Sequence, residues 1–280
     1  MAARALLGRP DGGTVGSRAP SPWLGLVAIL VLAFLCLPVI IVVAMSFSSA
    51  KSLEFPPPGL SLRWYAAFFG DEVWLDAGTN SVLLAGLAST IALLLGTVAS
   101  YALLRGRFPG RRLIEANFMA PIIIPSIITA VSLFIAFAKT GIRGTFGALV
   151  LAHTILVVPY VVLIMRVAIK SFDERIEQVA FTLGASKLRV LWSIVLPNLV
   201  PSAVAAWIFA FIISFDEVVV TLFLAGTHMT IPKRMFAELI MQINPTITAI
   251  ATILIGVNTI AVYLLVLFMR RGGILGKQLA

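Results

Sequence analysis

Six runs of apolar residues, each long enough to cross a lipid bilayer, dominate this chain. They lie near residues 23–47, 80–104, 113–138, 146–169, 200–225 and 246–269. A hydrocarbon core about 30 Å thick takes about 20 helical residues at about 1.5 Å each. Backbone polar groups inside lipid must be satisfied within the segment, so runs of this length fold as helices. The expectation is an all-α, polytopic membrane protein with six transmembrane helices. Pro38, Pro121, Pro125, Pro159 and Pro201 fall within or at the ends of these runs. Packed neighbours can satisfy the carbonyls that proline leaves free, so the prolines predict kinks rather than interruptions. Gly86, Gly96 and Ser100 allow helices to approach closely. Sixty per cent hydrophobic and 12% charged residues exclude an ordinary soluble domain.

Residues 1–22 are rich in Ala, Gly, Pro and Arg without periodicity and read as a disordered cytoplasmic tail. The run from Trp23 to Phe47 is too long for the core of a signal peptide and lacks an evident cleavage site. A membrane domain then covers 23–270, and 271–280 form a second cytoplasmic tail. The net charge of +9 does not point to nucleic acid, because the basic residues cluster in short segments between apolar runs. Six spans put both termini on one side. With the termini inside, the inner segments hold 15 of the 21 Lys and Arg residues. The positive-inside bias therefore predicts cytoplasmic termini. The lone cysteine, Cys36, lies in an apolar run, which excludes a disulfide framework and a thiolate cluster.

The longest polar interruption of the second half is SFDERIEQVAFTLGASKLRVLWSIVLPNLVP, from Ser171 to Pro201. It predicts two short helices with a sharp bend. Ser171 with Glu174 has the spacing of a capping box. Ile176, Val179, Ala180 and Leu183 follow at helical spacing and are expected to rest on the membrane domain. Gly184 suits a helix end that needs positive φ. Ser186 can cap a second helix with Leu188, Leu191, Trp192 and Val195 on its apolar face, and Pro197 is expected to end it. Topology places this knuckle in the cytoplasm, with its polar face, through Glu177 or Gln178, toward a soluble partner.

Two outer segments are large enough to receive a partner. The first, about 48–79, holds Pro56-Pro57-Pro58 and a short amphipathic stretch from Leu62, with Trp64, Tyr65 and Trp74 suited to a membrane interface. The second, about 226–245, predicts a short helix from Pro232 to about Ile243.

Enzyme motifs are absent: the sequence has no phosphate-binding loop, no H-E-x-x-H and no G-x-S-x-G. His153, Ser214 and Asp216 are the only conceivable parts of an intramembrane hydrolase, and His153 reads first as a hydrogen-bonded bundle residue. Asp216 and Glu217 lie within the fifth apolar run. Ionisable residues there are functional candidates by default. On one continuous helix Asp216 would share a face with Ile212, Val219 and Val220, and Glu217 with Ile213 and Leu224.

Glu177, Ala180, Gly184, Ile194, Leu196 and Pro197 resemble the EAA loop of ABC-transporter permeases: E-A-A, a Gly, then I-x-L-P at fixed distance. Gln178 occupies the acidic position, with Glu177 just before it. From about Asn80 to Leu265 the chain looks like a type I, binding-protein-dependent importer permease. Ser214-Phe215-Asp216-Glu217-Val218-Val219, Ile231-Pro232 and Asn244-Pro245 look most like the spermidine/putrescine branch, whose relatives also carry amino-acid-like compounds and opines. The resemblance implies a bacterial inner-membrane subunit with no catalytic residues, cofactor or metal of its own. Two cytoplasmic ATPases, using ATP and Mg, a second permease, more often a paralogue than a copy, and an extracytoplasmic binding protein would complete it. Glu177, Gln178, Ala180, Gly184, Ala185, Ser186, Ile194, Leu196 and Pro197 would couple to the ATPases. Ser214, Asp216 and Glu217 would line the pathway.

Overall fold

The computed structural model describes residues 22–241 and 244–271, so the two expected tails lie outside the described residues, apart from Pro22 and Arg271. Among the described residues no β-strand forms. One antiparallel bridge, Ser48 to Leu60, closes the loop that follows the first apolar run. Twelve helices follow in order: α1 (Pro22–Ser46), α2 (Arg63–Phe69), α3 (Glu72–Arg105), α4 (Arg111–Ile123), α5 (Ser126–Lys139), α6 (Phe146–Ser171), α7 (Glu174–Thr182), α8 (Lys187–Val190), α9 (Leu196–Asp216), α10 (Val219–Leu224), α11 (Ile231–Met241) and α12 (Thr246–Arg271). A π turn, Leu191–Val195, joins α8 to α9. Five helical stretches are long and apolar enough to cross a membrane, and α4 with α5 makes a sixth if counted as one span.

Three expected spans differ in the structure. The second begins at Glu72 rather than near residue 80, because Asp71 caps it: its Oδ1 accepts from the Val73 N–H at 2.8 Å. Polar residues of this first turn hide the helix from a hydropathy reading. The third is not one straight helix. α4 and α5 meet at 110°. Ile124 is extended, with ψ 129°, and Pro125 has no N–H to continue the ladder. The fifth is displaced toward the N-terminus. A continuous helix runs Lys187–Asp216 and stops there, and a separate short helix takes Val219–Leu224. Pro197 does not end the second knuckle helix as expected. It follows the π turn, whose wider winding carries the chain into α9, and Asn198 Nδ2 donates to the Ile194 carbonyl at 2.7 Å.

The centre of the bundle is the contact of α3 with α6 and α9. Ala92, Val157, Val158, Val161, Val162, Met165, Ala206 and Ala210 form its core. α3 presents Ala92, Gly96 and Ser100 there, one residue per turn, all buried. A Cβ on Gly96 would sit 2.7 Å from Val161 Cγ1, so only glycine allows this approach. Ser100 Oγ lies 3.3 Å from the Val162 carbonyl across the same seam. By contrast, α1 is exposed over nearly its whole length, Cys36 included. The short helix foreseen in the first outer loop is α2, and the one foreseen after Gly226 is α11.

Gly96→Ala is expected to destabilise the protein by about 1–3 kcal/mol through overpacking. Gly86→Ala, where a Cβ meets nothing within 4 Å, should be neutral or slightly stabilising. Melting of both variants in one detergent checks the pair.

Candidate functional site

The knuckle is built by caps. α6 runs on to Ser171, whose hydroxyl donates back to the Val167 carbonyl at 2.9 Å, so Ser171 is not the expected cap. Asp173 takes that role, accepting from the Arg175 N–H at 2.9 Å. At the other end Gly184 has φ 84°. The Gly184 N–H reaches the Phe181 carbonyl and the Ala185 N–H the Ala180 carbonyl, both at 3.0 Å. That is the paired ending which needs a left-handed residue, as the sequence predicts. Ser186 Oγ then accepts from the Arg189 N–H at 3.3 Å and starts α8.

The faces match the expectation only at Ala180, Leu191 and Val195. Ala180 and Glu177 are buried, whereas Ile176, Val179 and Leu183 are exposed. On the second helix Val190 and Val195 are buried, and Leu188 and Trp192 are exposed. Helical spacing marks a stripe of apolar residues but does not say what the stripe meets. Here the membrane domain offers a polar socket instead. Glu177, 3% exposed, accepts from Tyr101 Oη at 2.9 Å and from Arg105 Nε at 3.0 Å. Arg105 also pairs with Glu174 at 3.4 Å, and its Nη2 lies 3.5 Å from the Ile169 and Phe172 carbonyls. Glu177 is thus turned inward, while Gln178 stands exposed beside it. Sequence reading missed Tyr101 and Arg105, which lie more than 70 residues away; the single signal was a Tyr and an Arg four apart at a span end. An Arg166–Glu115 ion pair ties α4 to α6.

At the far end of α9 the second candidate group separates. The helix ends at Asp216, so neither carboxylate shares a face with α10 as expected. Asp216 is held by Asn258 Nδ2 of α12 at 3.0 Å. Glu217 Oε1 accepts from the Val220 N–H at 2.9 Å, capping α10. Glu217 also borders a cavity of about 280 Å³ with Tyr160, Ile213 and the α4–α5 break at Ile124 and Pro125. At the start of α11, Lys233 Nζ donates to the Gly226 carbonyl at 2.8 Å and the His228 carbonyl at 3.2 Å, and burial pushes its pKa down.

Ser214 is buried against His153, 2.9 Å from Nδ1, with Thr221 Oγ1 3.0 Å from Nε2. The Thr221 hydroxyl donates to the Glu217 carbonyl at 2.9 Å, so it accepts from His153 Nε2–H. His153 Nδ1 is then the acceptor and Ser214 the donor. Asp216 bonds to Asn258 and stays outside this group, so the three residues of a conceivable hydrolase do not assemble. His153 is a bundle residue, joining α6 to the end of α9 and to α10.

Residues 92–272 match the family model described as binding-protein-dependent transport system inner membrane component. The chain is 34% identical to the spermidine/putrescine transport system permease protein PotC of Haemophilus influenzae, over 86% of this chain and 94% of that protein. It is 35% identical to the putrescine transport system permease protein PotI of Escherichia coli K12, over 88% and 91%. In fold it is similar to a solved bacterial ABC transporter involved in import of the acidic polysaccharide alginate, with a TM-score of 0.64, 15% identity and coverage of 89% and 96%.

His153→Leu should leave two hydroxyls without their ring partner and cost about 1–3 kcal/mol. The expected readout is a lower melting temperature in detergent.

Proposed function

The chain belongs to the family of binding-protein-dependent transport system inner membrane components, and from that premise we propose that it forms the path of an ATP-driven importer for polyamines. The observation that carries the substrate class is the match along nearly the whole chain to permeases named for spermidine and putrescine. The substrate is then a flexible cation with two or more ammonium groups. Its binding protein delivers it at the outer side, where Glu217 borders the cavity at the α4–α5 break. Glu217 guides the cation, and Asp216 does so less because Asn258 already engages it. Ser214 contributes through His153 by shaping the end of α9 rather than by touching the amine.

The termini and the knuckle face the cytoplasm. Two ATPase subunits dock there, one on this chain and one on a paralogous permease. Ile176, Val179, Leu183, Leu188 and Trp192 supply the exposed apolar surface for that contact, with Gln178 beside them. Ala180, Gly184, Ala185 and Ser186 hold the bend, and Ile194, Leu196 and Pro197 carry it into the span. ATP binding draws the ATPases together, the knuckles follow, and the helices alternate between inward- and outward-open forms. ATP and Mg stay on the ATPases.

Three measurements check this reading. In the assembled complex, Gly184→Val should leave membrane insertion intact and uncouple uptake from ATP hydrolysis, since a β-branched residue at this φ is strongly disfavoured. Normal binding-protein-stimulated hydrolysis and uptake would exclude the coupling role. Cysteines at Ser186 and Ser52, in a Cys36→Ala background, should label from opposite sides with an impermeant thiol reagent; labelling of Ser186→Cys in intact cells would invert the topology. Glu217→Gln should lower polyamine uptake by roughly tenfold, a coupling of about 1.4 kcal/mol, and Asp216→Asn by less. Unchanged uptake in both variants would remove the guiding role.

A further inference from the structure

Glu177 differs from every other acidic residue of the knuckle in being buried. Its two oxygens are divided between two donors of one helix: Tyr101 holds Oε2, and Arg105 holds Oε1 through Nε at 3.0 Å and Nη2 at 2.8 Å. Tyr101 and Arg105 stand one turn apart in the last turns of α3, so both grip the carboxylate from the same face. The guanidinium reaches further, toward the Ile169 and Phe172 carbonyls where α6 ends. A cation is favoured at that end of a helix. Three elements therefore meet at one planar group: the inner end of α3, the inner end of α6 and the first knuckle helix. Planarity matters, because a guanidinium with several donors in a fixed fork sets direction as well as distance. Ala180, one turn after Glu177, is buried in the hydrophobic core with Ile169 at the end of α6 and Val190 of α8.

We propose that Glu177, Arg105 and Tyr101 form a strut that makes the knuckle and the inner ends of α3 and α6 one rigid body, so that movement of the knuckle is passed directly to the second and fourth spans. Glu177 is then a positioning residue and does not contact the ATPase. The assignment rests on the importer reading and adds to it which helices receive the stroke.

The test uses the whole reconstituted importer, with its ATPases, second permease and binding protein, in proteoliposomes and in the Cys36→Ala background. Ala102 and Phe181 line one cleft of about 280 Å³ beside the strut. Ala102→Cys with Phe181→Cys, joined by a short bis-thiol cross-linker, freezes α7 against α3. If the two move together, cross-linked importer keeps polyamine uptake within about twofold of the same variant without linker. Loss of uptake by roughly tenfold or more on cross-linking overturns the strut, because α7 would then have to slide on α3 in each cycle. Polyamine moved per ATP hydrolysed gives a second readout, taken on complexes matched for assembly. Glu177→Gln and Arg105→Glu should each lower that ratio, and Arg105→Glu with Glu177→Arg should restore much of it. Single variants with the parental ratio overturn the proposal, as does a reversed pair no better than either single. Absence of polyamine uptake in the parent importer would instead count against the importer reading, so the two failures are distinguishable.

Discussion

The close seam between α3 and α6 governs where everything else can be. Lipid tails are as apolar as leucine, so helices in a bilayer gain little from hiding apolar surface from each other. They associate through close backbone approach and hydrogen bonds. Ala92, Gly96 and Ser100 provide both, with Val161 seated against Gly96 and Ser100 set beside the Val162 carbonyl. Once those two helices are in register, Arg105 at the end of one must lie beside Ile169 and Phe172 at the end of the other. The socket for Glu177 follows from that register, and with it the position of the whole knuckle.

Polar groups in the interior serve the same purpose at the other end of the bundle. His153 looks catalytic beside Ser214, since a hydroxyl that donates to an imidazole is how a nucleophile is activated. Its second nitrogen is engaged by Thr221, and Ser214 is fully packed away. The group fixes the stop of α9 at Asp216 and the start of α10, and so aims Glu217 toward the break in the third span.

Much of this was legible in the sequence. The membrane class, the number of spans and the left-handed turn at Gly184 follow from run length and from what glycine alone tolerates. The short helices near Arg63 and Ile231 were visible as well. What failed was local and has a common cause. A window of hydropathy reports how apolar a stretch is, so it placed the second span late, where Asp71 and Glu72 open it, and read across the stop at Asp216. A helical stripe reports periodicity, so it could not tell a face that meets membrane protein from one left open to a partner. Ile176, Val179 and Leu183 carry the pattern of buried residues. Glu177 has the composition of a surface residue and is buried because Tyr101 and Arg105 await it, a pairing no short window contains.

The π turn at Leu191–Val195 has a mechanical meaning. Helix winding persists through it, so Lys187 in the knuckle and Asp216, which precedes the cavity-lining Glu217, are the two ends of one continuous helix of 30 residues, about 45 Å long. No side chain needs to relay a signal along that distance, because the backbone itself is the connecting rod. Its one loosely wound turn lies within the knuckle, ahead of Pro197. In the proposed importer, a tilt applied at the knuckle would reach Glu217 as a swing of the whole rod.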